Sequence, residues 1–114
     1  MADLVYINFD EGLKRMMNNT KLYVRLLSKF KADTKLDELS AQIEAGDYEK
    51  AQIEAHTIKG VAANLSLTEL SEKIRDLESQ IKGKSVQPGA MDTVKAVFEE
   101  TLKKVDEVVA QYGS

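Results

Sequence analysis

Residues 48–65 read YEKAQIEAHTIKGVAANL. Tyr48, Ala51, Ala55, Ile58, Ala62 and Leu65 recur in steps of three and four, the spacing that lines one side of a bundle helix. Gly46 just before it reads as a helix stop, and Asp47 as the N-cap that starts this helix. Just after it, Ser66-Leu67-Thr68-Glu69 has the form of a capping box, which predicts a second helix at once. That helix carries Leu67, Leu70, Ile74, Leu77 and Ile81, again three-four-three-four, and Gly83 ends it. Residues 47–83 therefore predict a helical hairpin with almost no loop, whose two arms pack antiparallel.

The flanking sequence has the same character. Upstream, Asn8-Phe9-Asp10-Glu11 looks like a capping box, followed by Phe9, Leu13 and Met16 or Met17 on one face. Asn18-Asn19-Thr20 breaks and restarts the chain, and Leu22, Tyr23, Leu26, Leu27 and Phe30 make a second stripe. Asp33-Thr34 reads as a cap or a kink, after which Leu36, Leu39 and Ile43 continue. Downstream of the loop Lys84–Gly89, which holds the single proline Pro88, a last helix places Met91, Val94, Phe98, Val105, Val108 and Tyr112 on one side. Strand-like runs and internal repeats are missing. The expected fold is all-α: an antiparallel four-helix bundle with short extra N-terminal helices, one domain over residues 1–114.

Composition narrows the function classes. The 114 residues are 43% hydrophobic and 31% charged, with a formal net charge of -3 and charges of both signs interspersed. Nucleic acid is not the expected partner, because phosphate-backbone binding needs a basic stripe. No apolar run is long enough to span a membrane, and MADLVYINFDEG lacks the pattern of a secretory leader. The absence of cysteine fits a reducing, cytoplasmic setting and removes disulfide and thiol chemistry. With one histidine and no cysteine, the usual zinc sites are excluded. Gly-rich phosphate loops are absent too, so the chain has no ATP site of its own.

That one histidine, His56, lies on the 48–65 helix about 140° away from the centre of the apolar seam. It is expected to be exposed. Its neighbours one and two turns away are Gln52, Lys59, Gly60 and Ala63. Gly60 is the odd residue, since a mid-helix glycine costs about 1 kcal/mol relative to alanine and nothing local repays it. It removes the side chain that would shadow the imidazole from a bulky partner. An exposed imidazole can serve as nucleophile or as acid and base. The Lys59 ammonium opposes protonation of the ring and favours an anion beside it, such as a phosphoryl group on a ring nitrogen. Counting across the hairpin, the residue opposite His56 falls near Glu78, which can accept a hydrogen bond from one ring nitrogen and free the other. A plain surface pair between Glu78 and Lys82 is the competing reading.

Residues 55–70, AHTIKGVAANLSLTEL, resemble the signature of histidine-containing phosphotransfer (HPt) domains, His-x-x-Lys-Gly followed by small residues on a bundle helix. LYVRLLSKF at 22–30, AGD at 45–47 and DLE at 76–78 look like further landmarks of that family, so that the resemblance covers roughly residues 8–83. It implies that His56 takes a phosphoryl group from a phospho-aspartate or a kinase and passes it to an aspartate of a response-regulator receiver domain. Lys59 would stabilise phosphate charge, Gly60 would leave room, and Glu78 would orient the ring. Gln52 and Ala63 would lie on the receiver-docking face. The implied partners are a receiver domain and a sensor or hybrid histidine kinase. The magnesium ion would belong to the receiver, with no metal or other cofactor on this chain, which is expected to be monomeric. One departure is Ser66, where many members have glycine. Two alternatives remain: the phospho-accepting domain of a larger histidine kinase, against which Val61 after Gly60 counts, and a receiver-docking module that transfers nothing. A sensor-kinase dimerisation hairpin fits poorly, because Thr57 rather than an acidic residue follows His56.

Overall fold

The computed structural model describes residues 5–113; the start of the stretch read for a secretory leader, 1–4, lies outside the described residues. Among the described residues there are six helices and no strands: α1 (Phe9–Arg15), α2 (Thr20–Asp33), α3 (Asp37–Glu44), α4 (Tyr48–Asn64), α5 (Thr68–Lys82) and α6 (Ala90–Tyr112). The four long helices α2, α4, α5 and α6 make the bundle. The short α1 leads into it, and the short α3 joins α2 to α4.

Side-chain contacts fix the direction of each helix. The Tyr23 hydroxyl donates to the Leu65 carbonyl at 2.7 Å, while Phe30 and Asp33 share a cleft with Gly60 and Val61, so α2 runs antiparallel to α4. Phe30 meets Phe98 edge-on with centroids 6.0 Å apart, and Lys21 and Val24 sit near Tyr112 and Val109, so α6 runs antiparallel to α2. With α4 and α5 joined by a tight turn, the bundle is up-down-up-down.

On α4 and α5 the core follows the predicted seams, whereas on α6 the expected Tyr112 is exposed and Met91 only partly buried. Leu67, Leu70, Ile74, Leu77 and Ile81 of the α5 stripe are all buried, as are Ala51, Ala55, Ile58 and Ala62 of α4. Each buried leucine or isoleucine is worth roughly 1.5–3 kcal/mol of transfer free energy. The three alanines keep the α4 surface shallow, and α4 and α5 form the most extensive helix pair. On α6 the buried line is Val94, Val97, Thr101 and Val105, with Phe98 and Val108 only partly buried beside it. Thr101 escapes a polarity-based reading because its hydroxyl is satisfied inside the helix, donating to the Val97 carbonyl at 2.7 Å.

Several helix ends differ from expectation. Asn8 does cap α1, its side chain accepting from the Glu11 amide, but its own N–H donates to the Ser66 carbonyl instead of to Glu11. Met16 is the buried methionine and Met17 the exposed one. Ser66 is not the cap of α5. It takes a left-handed backbone, φ 57°, while Leu67 N–H reaches the Ala62 carbonyl and Ser66 N–H the Ala63 carbonyl. These paired bonds are the Schellman lock that satisfies the last carbonyls of a helix, and α5 begins from Leu67 with no side-chain cap. The same lock ends α1 at Met17, α3 at Gly46 and α5 at Lys84. Gly83, the expected stop, stays right-handed, and Lys84 makes the reversal. Glu69 serves no capping box: it is buried, and its N–H donates to the Val5 carbonyl.

Candidate functional site

The tight α4–α5 turn puts His56 opposite Glu78. The Glu78 side chain is only 4% exposed, and that of His56 is 68% exposed. Glu78 Oε2 lies 3.3 Å from His56 Nδ1, and Oε1 lies 2.7 Å from Lys59 Nζ. Burial alone would push the Glu78 carboxyl up. Lys59, Lys82 and His56 together outweigh that and hold it below the ordinary glutamate range, as a carboxylate. A carboxylate only accepts hydrogen bonds, so Nδ1 must carry the proton and donate it. In the neutral ring the lone pair is then on Nε2, the nitrogen Glu78 does not engage. A neutral imidazole fixed in one tautomer, on an exposed helix face, can act as a nucleophile through that nitrogen.

Gly60 lies one turn along α4 from His56. A Cβ built there would have nothing within 4 Å, and its backbone is helical, so neither the space nor the conformation calls for glycine. Gln52 is half-buried and Ala63 exposed, on the flank of α4 nearer α5. On the other flank, Gly60, Val61, Asn64 and Leu65 face Leu26, Lys29, Phe30 and Asp33 of α2, and Thr34 just after it, across a cleft of about 630 Å³. Gly60 thus links the imidazole to the cleft.

One feature of this region escaped the sequence reading, and another entered it only as a competing reading. Ile53 and Val61, 63% and 44% exposed, give the outer face of α4 an apolar character around the histidine. Ile53 falls one turn before His56 and off the seam, and that position was the available signal. The other is Lys82, whose Nζ lies 3.8 Å from Glu78 Oε2. The Glu78–Lys82 and Glu78–His56 contacts both occur, but Glu78 is buried and not the surface glutamate of the competing reading. Among the described residues, no three His, Cys, Asp or Glu side chains gather into a metal-ion site.

A family model, the Hpt domain, matches residues 25–109, from α2 to near the end of α6. The chain belongs to the Hpt domain family. The match extends past the resemblance read from sequence, which stopped at the end of α5, and takes in the fourth bundle helix. Hpt domains act in histidine phosphotransfer in two-component signalling, as phosphoryl carriers that meet receiver and kinase domains. Comparison with curated proteins and with solved structures returns no match. No helix among the described residues is long and apolar enough to cross a membrane.

Proposed function

We propose that this Hpt domain carries a phosphoryl group on Nε2 of His56 and exchanges it with the aspartate of a response-regulator receiver domain. The observation that carries the reading is the contact between His56 Nδ1 and the buried Glu78 carboxylate, beside a helix face cleared by Gly60. In the accepting direction, the Nε2 lone pair attacks the phosphorus of the acyl phosphate. The N–P bond forms as the O–P bond breaks, and the receiver aspartate leaves as a carboxylate. The Nδ1 proton stays on the ring, where Glu78 stabilises the positive charge that develops. Reversal of the same step returns the group, so one geometry serves both directions.

Lys59 supplies a cation within reach of the phosphoryl oxygens. Magnesium would sit with the receiver's own acidic residues. The receiver would dock over the face bearing Gln52, Gly60 and Ala63, with Ile53 and Val61 as apolar contacts. Between Ile53 and Asn64 the only charged residues of α4 are Glu54 and Lys59, both half-buried, so docking there strips little charge of its water.

The test is exchange with phosphorylated receiver domains, read by intact mass, with His56→Gln alongside. A gain of one phosphoryl group that is acid-labile, alkali-stable and lost in the variant is expected. A folded protein that takes no phosphoryl group from any receiver or sensor kinase would refute the reading.

A further inference from the structure

Glu78 answers to three cationic or proton-donating groups. Its two oxygens receive His56 Nδ1 and Lys59 Nζ separately, and Lys82 Nζ approaches the oxygen that His56 uses. Lys59 follows His56 by about one turn on α4, and Lys82 follows Glu78 by one turn on α5. Because the helices are antiparallel, the two lysines approach the His56–Glu78 pair from opposite directions along the bundle axis. Lys59 comes from the closed end of the hairpin and Lys82 from the open end. The Lys82 side chain is 56% exposed, on a flexible four-carbon stem free to swing.

Charge balance gives this arrangement a purpose, if the carrier reading above holds. A phosphoryl group brings about -1.5 to -2 charges to Nε2. The ring, keeping its Nδ1 proton, becomes positive and takes over the full charge of Glu78. The phosphoryl group is then left beside a buried carboxylate, and one ammonium does not balance it. We propose that Lys82 is the second phosphoryl-binding cation of this site: it rests on Glu78 while His56 is free and moves to the phosphoryl oxygens when His56 is modified. Lys59 and Lys82 then grip the group from both sides while Glu78 holds the imidazolium.

The test needs no receiver. The full chain is labelled with phosphoramidate: the Nε2 lone pair forms the new N–P bond as the donor's N–P bond breaks, and ammonia leaves. The second ionisation of the bound phosphoryl group is followed by phosphorus NMR in wild type, Lys82→Gln, Lys82→Arg and Lys73→Gln. Lys73 shares α5 and the same charge but pairs with Glu69. Lys82→Gln is expected to raise the midpoint by about half a pH unit to one unit and to slow labelling about threefold to tenfold. Lys82→Arg should restore both, and Lys73→Gln should change neither. A midpoint in Lys82→Gln equal to wild type, or an equal shift in Lys73→Gln, overturns the assignment while leaving the carrier reading intact. A labelled protein with the Lys82 effect that exchanges with no receiver sinks the carrier reading and leaves Lys82 as phosphoryl ligand. Failure of wild-type His56 to take the label overturns both.

Discussion

Gly12 and Gly60 both sit inside helices, and they are glycine for opposite reasons. Gly12, on α1, is buried, and a Cβ there would overlap the hydroxyl and ring carbons of Tyr23. That close approach lets the Tyr23 side chain pass against α1 and send its hydroxyl to the Leu65 carbonyl at the closed end of the α4–α5 hairpin. Gly60, on α4, is exposed, with open space where its side chain would be. The fold uses the first glycine and makes no use of the second. A residue that weakens its helix and that no internal contact repays is there for something outside the chain, and here it stands one turn from the only histidine.

The largest effect belongs to the internal glycine. Gly12→Ala must displace Tyr23 or lift α1, and is expected to cost about 3 kcal/mol in chemical denaturation, despite alanine's better helix propensity. A loss under about 0.5 kcal/mol would erase the contrast between the two positions.

Tyr23 sharpens the same side of the comparison. Burial, and next the Glu11 charge, push its phenol from 10.0 up to about 12. The neutral phenol is the form the fold prefers, so its contribution is fully present below pH 10 and lost as pH rises through about 12. Roughly 2–3 kcal/mol of stability should disappear across that window, and Tyr23→Phe should flatten the alkaline limb. An alkaline limb as steep in the variant as in wild type would show that another group governs it.

On the outer face the expected sign reverses. Gly60→Ala should raise stability by about 1 kcal/mol while slowing phosphoryl exchange with receivers, and Gly60→Gln should slow exchange about tenfold or more without unfolding the protein. Denaturation and exchange rates measured on the same samples separate the two effects. If exchange were unchanged in Gly60→Gln, the glycine would have no role in partner access.

This contrast also marks what was legible in the sequence. The four bundle helices and their buried lines on α4 and α5 could be read because their periods are long and regular, and the His56–Glu78 contact followed from counting residues across a near-loopless hairpin. Lys82 entered only as a competitor for Glu78, since one-dimensional spacing poses as alternatives what a carboxylate with two oxygens accepts together. The partner of Gly12 was invisible, because Tyr23 reaches it through a tertiary crossing with no sequence period. Helix ends misled most. Capping patterns describe side chains, but in this chain backbone locks at Met17, Gly46, Ser66 and Lys84 decide where helices stop, and only one of those residues is glycine.

Ser66 gives the finest test, because it inverts Gly60: a side chain where the backbone favours glycine. Its left-handed conformation costs about 1 kcal/mol. The position is nevertheless fully used. The hydroxyl donates to Glu11 Oε1 at 2.9 Å, and the carbonyl accepts from Asn8 N–H at 2.9 Å, tying α1 to the hairpin turn. Ser66→Gly relieves the strain and keeps the carbonyl bond, but loses the hydroxyl bond, worth about 1 kcal/mol. The two nearly cancel, so the net change should stay within about 0.5 kcal/mol. Ser66→Ala keeps the strain, loses the bond and should be the less stable by about 1 kcal/mol. Denaturation of both variants decides the matter, and an alanine variant as stable as the glycine one would mean that backbone strain at this turn is negligible.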